Sequence, residues 1–491
     1  MKFSAIATLA LASVALAAYS EQDYESGRVH NDHMAEKLKQ WSAKRAAGEY
    51  DSRKWSGWKG SRIRCKNGVA VAKKDDPLQT FRCKDMDMYD FKSHVELGSN
   101  NGEGSGSWGW TYHGREFAAV GQTDGVSFAE VTKDGKLVYL GRLPQQHTAE
   151  PSPWREIKSN GPYLIVGSEA VNHNVQIFDL RKLLTIDPKK PKTFSTETDL
   201  TGLFTGMPIG RSHNVVVNEE LNYAVAVGSQ PRNDSCAAGL IFIDMSDPTK
   251  PFTPGCAPQD GYVHDAQCIV YRGPDAKYNG KDICYGYNED TLTIYDVTNK
   301  TGPQAARVIS RTPYKGASYT HQGWIIDPNW QTHLVLDDEL DEGLRPERMN
   351  PESPAADGFP VTYIFDITNL EAPKNTGFYK STVKSIDHNQ YIYDGIAYQS
   401  NYGAGLRMLD ISSIPEKPDG SGIEEIGFFD IYPEDDNLPG GGNATFVGTW
   451  NHYTYPSGYV VVNTIERGAF VVKHNKFRGR GKGKKYVKRG S

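Results

Sequence analysis

The apolar positions of this chain gather in short β-branched and aromatic runs, and one run recurs with an aspartate at its end. It reads Val175-Gln176-Ile177-Phe178-Asp179, Leu240-Ile241-Phe242-Ile243-Asp244 and Leu292-Thr293-Ile294-Tyr295-Asp296, then Tyr363-Ile364-Phe365-Asp366 and Leu406-Arg407-Met408-Leu409-Asp410. Such runs predict strands. Turn chemistry follows each Asp, as in Met245-Ser246-Asp247-Pro248 and Ile367-Thr368-Asn369. Asp, Ser and Asn side chains bond nearby backbone in tight turns, so the closing aspartates are predicted turn formers rather than catalysts. Each unit also carries an upstream strand pair, with first strands beginning near Trp108, Trp154, His213, His264, His321, His388 and Asn451. The seven units are spaced 46, 59, 51, 57, 67 and 63 residues apart, which suits four short strands plus variable loops and the ~40–50 residues of a propeller blade. Helical periodicity is confined to residues 33–47.

A propeller needs its last blade completed, and the seventh unit offers only three strands, at residues 450–455, 459–463 and 468–472. Val95-Glu96-Leu97 ends eleven residues before Trp108, just as the fourth strand of the first unit ends at Leu143, eleven residues before Trp154. The expected architecture is therefore all-β: a seven-bladed β-propeller over residues 95–472, closed by this N-terminal outer strand. Closure hides two sheet edges at once. Residues 18–94 are expected to form a peripheral arm tied down by Cys65 and Cys83, with a possible propeptide ending at the Lys44-Arg45 pair.

The N-terminal residues lead us to expect a protein outside the cell. Lys2 precedes an Ala-rich apolar stretch ending in Ala15-Leu16-Ala17, the pattern of a secretory signal peptide over residues 1–17. No later window offers the ~20 apolar residues of a transmembrane helix. Six cysteines, none in a CxxC pair, favour disulfides in an oxidising compartment. The simplest pairing is Cys65 with Cys83, Cys236 with Cys256 and Cys268 with Cys284, one of fifteen possible connectivities. Sequons at Asn233, Asn299 and Asn443 fit loops open to glycosylation. The formal charge is −5, yet residues 473–491 hold nine Lys and Arg and no acid. An acidic body thus carries a basic, Gly-spaced tail, expected to be flexible and to attract anionic polymers, or to be trimmed at its dibasic pairs.

Candidate chemistry follows from strand direction. First strands lie innermost, and their starts share one face with the ends of the antiparallel second strands. The first position reads Ser212-His213-Asn214, Val263-His264-Asp265, Thr320-His321-Gln322, Asp387-His388-Asn389 and Trp450-Asn451-His452; the second reads Glu169, Gln230, Glu289, Asp337-Asp338-Glu339 and Asn401. This predicts a ring of imidazoles, amides and carboxylates around one mouth, with Trp154, Arg155, Glu169, Asp265, Gln322, Asn389, Asn401, Asn451 and His452 as ligand contacts. His213, His264, His321 and His388 are candidate ligands for Zn, Fe, Mn or Cu, and His264, His321 and Glu339 are candidate catalysts. Equivalent histidines in a repeat are equally explained as hydrogen-bonded bridges between blades. The run holding Asp337, Asp338, Glu339, Asp341 and Glu342 fits either a Ca²⁺ site or a solvated acidic loop, and lacks the Gly turn and ligand spacing of an EF-hand. Trp110, Trp154, Trp324 and Trp450 are read either as a sugar platform at this mouth or as packing between blades.

The Asp-closed repeat, with the His264-Asp265-Ala266-Gln267, His321-Gln322-Gly323-Trp324 and Asp337-Asp338-Glu339-Leu340-Asp341-Glu342 segments, resembles the LVIVD-repeat proteins of the choice-of-anchor B family, over residues 108–473. The resemblance implies an extracellular propeller without a firmly established activity. The basic end departs from the anchors of that family. No GxSxG elbow, P-loop or HExxH is present. Three functions fit: a secreted, monomeric binding module for a glycan, protein or divalent metal; a metal-dependent hydrolase or lyase acting on an extracellular polysaccharide; and a structural cell-wall component.

Overall fold

A computed structural model describes residues 19–234, 236–302, 306–342 and 352–476. The proposed signal peptide, and the basic tail from residue 477 onward, lie outside the described residues. The chain opens with two helices, α1 (Glu21–Glu25) and α2 (Arg28–Ala46), followed by three strands, β1 (Val69–Val71), β2 (Thr80–Lys84) and β3 (Met86–Ser93). Seven sheets, antiparallel but for the short strand Lys192–Thr193 added in parallel to one of them, then form the blades. Their first strands are Gly104–Tyr112, Arg155–Asn160, Asn214–Asn218, Asp265–Val270, Thr320–Ile325, Gln390–Tyr393 and Thr449–Thr454. Neighbouring first strands pack against one another around the axis, and Thr449–Thr454 returns to Gly104–Tyr112. The molecule is a seven-bladed β-propeller.

The blades form where the repeat predicts them, and the closing aspartates explain why each third strand stops. Asp179, Asp244, Asp296, Asp366 and Asp410 each accept a hydrogen bond from the amide two residues on, at 2.9, 2.8, 3.2, 2.8 and 3.0 Å. Between blades the apolar faces interlock. Val225 and Phe242 of blade 3 share a cluster with Cys284 and Tyr295 of blade 4, and Tyr285 and Ile294 of blade 4 share another with Leu336 and Phe365 of blade 5.

Closure uses an N-terminal outer strand, but not the segment expected. β3 pairs antiparallel with Gly468–His474, from Met86 opposite His474 to Ser93 opposite Gly468. Val95-Glu96-Leu97 lies in the turn that follows. Eleven-residue spacing located the right neighbourhood, but the polar sequence Met86-Asp87-Met88-Tyr89-Asp90 concealed a strand whose partner lies almost four hundred residues away. The arm also adds to the rim: β2 extends the outer edge of blade 6 by pairing with Glu424–Phe429, and β1 extends it further. Three disulfides join Cys65 to Cys83, Cys236 to Cys256 and Cys268 to Cys284. No helix among the described residues is long and apolar enough to cross a membrane. Asn233, Asn299 and Asn443 are exposed.

Candidate metal centre at the channel mouth

Where a first strand begins, its leading residue is held by backbone pairing to the end of the second strand: the His213 amide donates to Val227 O and the His264 amide to Tyr287 O, both at 3.0 Å. In blade 5 the register slips between Thr320 and Gln322, and such a bulge re-aims the residue inside it, here His321. Repetition therefore sets four imidazoles side by side. Ring centroids are 4.1 Å apart for His213 and His264, and 4.4 Å for both His264 with His321 and His321 with His388. All four are buried. In blade 7 the slip falls between Thr449 and Asn451, so Trp450 rather than Asn451 takes the inward position. Trp154 and Trp450 flank the histidine arc.

Every Nδ1 atom in the arc faces an acceptor. His264 Nδ1 donates to His321 O at 2.8 Å and His388 Nδ1 to Trp450 O at 2.7 Å. His213 Nδ1 meets Glu169 Oε1 at 2.5 Å and His321 Nδ1 meets Asp337 Oδ1 at 2.9 Å. Carbonyl oxygens only accept. Glu169 is a carboxylate: burial alone would raise it, but His213, His30 and Arg211 together hold it at about 2. Asp337, pushed up by burial, accepts from Gln322 N at 3.0 Å and Gln390 Nε2 at 2.9 Å and faces His321 Nδ1. Where a carbonyl holds the proton on Nδ1, as at His264 and His388, the lone pair lies on Nε2, free for a metal. Burial pushes His264 and His321 well below the usual imidazole range and His388 down to about 4, so all three are neutral.

Glu339 is the carboxylate at the hub. Its Oε1 accepts from Lys37 Nζ at 2.5 Å and Tyr402 OH at 2.6 Å and lies 3.6 Å from His388 Nε2. Its Oε2 accepts from His33 Nε2 at 2.9 Å and lies 3.9 Å from His321 Nε2. Burial alone would raise this carboxyl; Lys37, His321 and His33 together hold it well below its ordinary value. Ligand atoms of His264, His321 and Glu339 all lie within 4.8 Å of one another, the only such trio among the described residues. His264 Nε2 is buried without a hydrogen-bond partner. Two imidazole nitrogens and one carboxylate oxygen form a donor set for a borderline transition metal rather than for Ca²⁺.

The other expected contacts disperse. Arg155 is buried in the blade 1 and 2 interface, donating to Gln122 O at 2.9 Å and Gln145 Oε1 at 3.2 Å. Gln322 and Gln390 bridge blades 5 and 6. Asn451 donates to Ser107 O at 3.3 Å, and His452 Nδ1 meets Ser400 Oγ at 2.7 Å, away from the arc. Asn389 and Glu169 support the arc through Trp450 O and His213. Asp265 lies buried beneath it, its carboxyl raised by burial to about 7, while Asn401 is buried in the turn after Ile396–Ser400. The acidic run is not a solvated loop: Asp337, Asp338, Glu339 and Asp341 are all fully buried. Nor does it converge on one point. Asp338 accepts from Ser318 and Tyr319 amides, and Asp341 from Tyr363 OH and Ser353 Oγ. Trp110 packs between blades 1 and 2. Trp324 lies at the opposite mouth, in a cavity of about 350 Å³ with Trp108, Lys158 and Tyr453.

Sequence reasoning placed a helix at residues 33–47 but missed that α2 packs against the mouth. Its His30, His33, Lys37 and Trp41 are buried against the mouth. His30 Nδ1 meets Tyr319 OH at 2.7 Å, and Trp41 Nε1 donates to Phe446 O at 2.9 Å. Trp41 sits between Trp154 and Trp450, with centroids 5.5 and 5.8 Å away. The spacing 30, 33, 37, 41 is one helical face, the signal that was available.

No family model matches this chain, and no curated protein does. Among solved structures it is similar to the WD40 beta propeller domain of Doa1, at 9% identity and a TM-score of 0.44, covering 77% of this chain and 95% of that one. The computationally designed Ika8 protein gives 9% identity and a TM-score of 0.43 over 84% and 95%. The Cps50 (Swd1) beta-propeller domain of Myceliophteria thermophila gives 10% and 0.39 over 73% and 93%. The seven-bladed assignment rests on the strand pairing itself.

Proposed function

We propose that this chain is a secreted propeller of the LVIVD-repeat type whose axial mouth holds a divalent transition metal and, through it, an extracellular ligand such as a wall glycan. Nε2 of His264 and of His321 and a Glu339 oxygen would bind the ion, with His213 and His388 flanking. The observation that carries this reading is the arc itself: four neighbouring imidazoles face polar partners with Nδ1, and ligand atoms of His264, His321 and Glu339 lie within 4.8 Å of one another. His264 Nε2 is buried without a hydrogen-bond partner, and His264 stands with His321 and Glu339 close enough for all three to reach one ion. A bound metal supplies a Lewis-acidic point for an oxygen ligand. The protein supplies the orientation of the imidazoles, through Asp337, Glu169 and two backbone carbonyls. Three disulfides suit an oxidising compartment.

Elemental mass spectrometry of the purified secreted protein, after incubation with Zn²⁺ and desalting, tests the reading. We expect about one metal per chain, in the parent or once Lys37→Met frees Glu339, lost on adding His264→Ala or His321→Ala while the far-ultraviolet circular dichroism stays unchanged. Metal retained in both histidine variants, or absent from the parent and from Lys37→Met alike, would sink it.

A further inference from the structure

We infer that helix α2 is a removable plug for the mouth, with the Lys37 ammonium standing in for the bound cation and Lys44-Arg45 as the point of release; the inference rests on the metal-binding reading above.

The inward face of α2 has the wrong chemistry for a helix that only stabilises. Such a helix buries an apolar stripe. α2 instead buries His30, His33 and Lys37 along with Val29, Met34 and Trp41. Burying an ammonium is costly unless a counter-charge meets it closely, and here the counter-charge is Glu339, at 2.5 Å. That is the same carboxylate that completes the His264 and His321 trio. Lys37 also lines the mouth cavity directly, together with His213, His264, His321 and His388. Lysine and a metal ion at this carboxylate are mutually exclusive, because two positive charges would face each other in a buried site with one negative charge between them.

The plug also blocks entry. The mouth cavity is about 10 Å³, the size that admits one water. Trp41, wedged between Trp154 and Trp450, seals it on one side. The propeller does not depend on α2 for its ring: α2 joins no sheet, and closure is completed by β3, downstream of it.

The release point sits where the seal ends. Lys44 and Arg45 occupy the last turn of α2; Ser42, Ala43, Arg45, Ala46 and Ala47 are exposed, and Lys44 is half-buried. Gly48 follows with φ +72° and turns the chain away. Lys44 pairs with Glu49 at 2.6 Å and reaches Tyr432 OH at 3.3 Å, and Arg45 pairs with both oxygens of Glu103 at 2.7 Å; a protease cleft takes this turn once those contacts open together with the last turn of the helix. Cleavage is hydrolysis by an endoprotease specific for dibasic pairs. One water adds across the Arg45–Ala46 peptide bond, leaving a carboxylate on Arg45 and an ammonium on Ala46. Lys37 then leaves with the freed segment, and Glu339 is left to the metal.

The test compares three samples: the full chain, the full chain cut by a dibasic-specific endoprotease and dialysed, and uncut Lys37→Met. Each is titrated calorimetrically with Zn²⁺. Expected are a new N-terminus at Ala46, loss of the freed segment, and Zn²⁺ binding at least tenfold tighter in the cut chain and in Lys37→Met than in the uncut parent. Adding His264→Ala to either abolishes the gain. Equal affinity in all three samples overturns the plug and leaves the metal reading standing. Zn²⁺ binding in none of them overturns both. Tight binding by Lys37→Met with no cleavage at Arg45, or with the segment retained after cleavage, overturns the release point.

Discussion

Glu466 lies just before the Gly468–His474 strand with both carboxyl oxygens accepting from the Gly448 amide, at 2.9 and 3.0 Å. Burial, the largest influence, pushes its carboxyl up to about 8. In the unfolded chain the group titrates near its ordinary value, so between about 4.5 and 8 the folded state binds more protons. Its share of stability is fully present below that window and is lost as pH rises through it, at up to about 1.4 kcal/mol per pH unit. Asp265 and Asp435, raised by burial to about 7, act in the same direction. Glu466→Gln keeps an acceptor for Gly448 and removes the titration. Urea denaturation at pH 5, 6, 7 and 8 is expected to show a shallower loss of stability in the variant and a net gain at pH 8; a profile parallel to the parent's would contradict the assignment. Closing aspartates behave differently, since each holds one local turn. Asp244→Ala and Asp410→Ala are each expected to cost about 1 kcal/mol in the same assay and to leave Zn²⁺ binding untouched. These aspartates were legible in the sequence because turn chemistry is local. The four arc histidines were legible because the repeat puts them in equivalent places. The partnership of Lys37 with Glu339 was not, because 302 residues separate them and neither residue type announces burial.

Among the elements, α2 was readable as a helix and unreadable as a plug. Its inward face mixes Val29, Met34 and Trp41 with His30, His33 and Lys37, so no apolar stripe marks the buried side, and a polar stripe finds its reason only once the mouth exists. β3 hid in a similar way: Met86, Asp87, Met88 and Asp90 are all buried, but the acids interrupt the apolar run that betrays a strand. If α2 is a plug, its stability should be separable from that of the blades. Trp41 is its largest buried side chain, and truncating a buried Trp costs about 3–5 kcal/mol. In Trp41→Ala, hydrogen exchange of the α2 amides is expected to quicken by two orders of magnitude or more, while protection in the blade 4 strands Asp282–Tyr287 and Thr291–Asp296 holds. Equal loss in helix and blades would make α2 an integral part of one cooperative unit.

At the scale of the whole molecule, a ring differs from an open stack of repeats because every blade has two neighbours and the last contact to form closes on the first. That contact is β3 against Gly468–His474. Phe91 of β3 is buried with its ring 4.5 Å from Phe470, and both belong to the cluster that joins blades 6 and 7 through Phe81, Met408 and Phe429. An open array would absorb damage at its end by local fraying, since its stability is a sum of nearest-neighbour terms. A closed ring has no end to fray: opening it exposes two sheet edges and uncovers the faces of two blades together. Phe91→Ala removes about 3 kcal/mol or more of packing at this closure. The expected result is a single, still cooperative unfolding transition at lower denaturant, with hydrogen exchange quickening to a similar extent in blade 4, on the far side of the ring, as in blade 7. Exchange that quickened only along Gly468–His474 and Tyr459–Thr464 would mean that the seven sheets hold without their closure, as an open stack would.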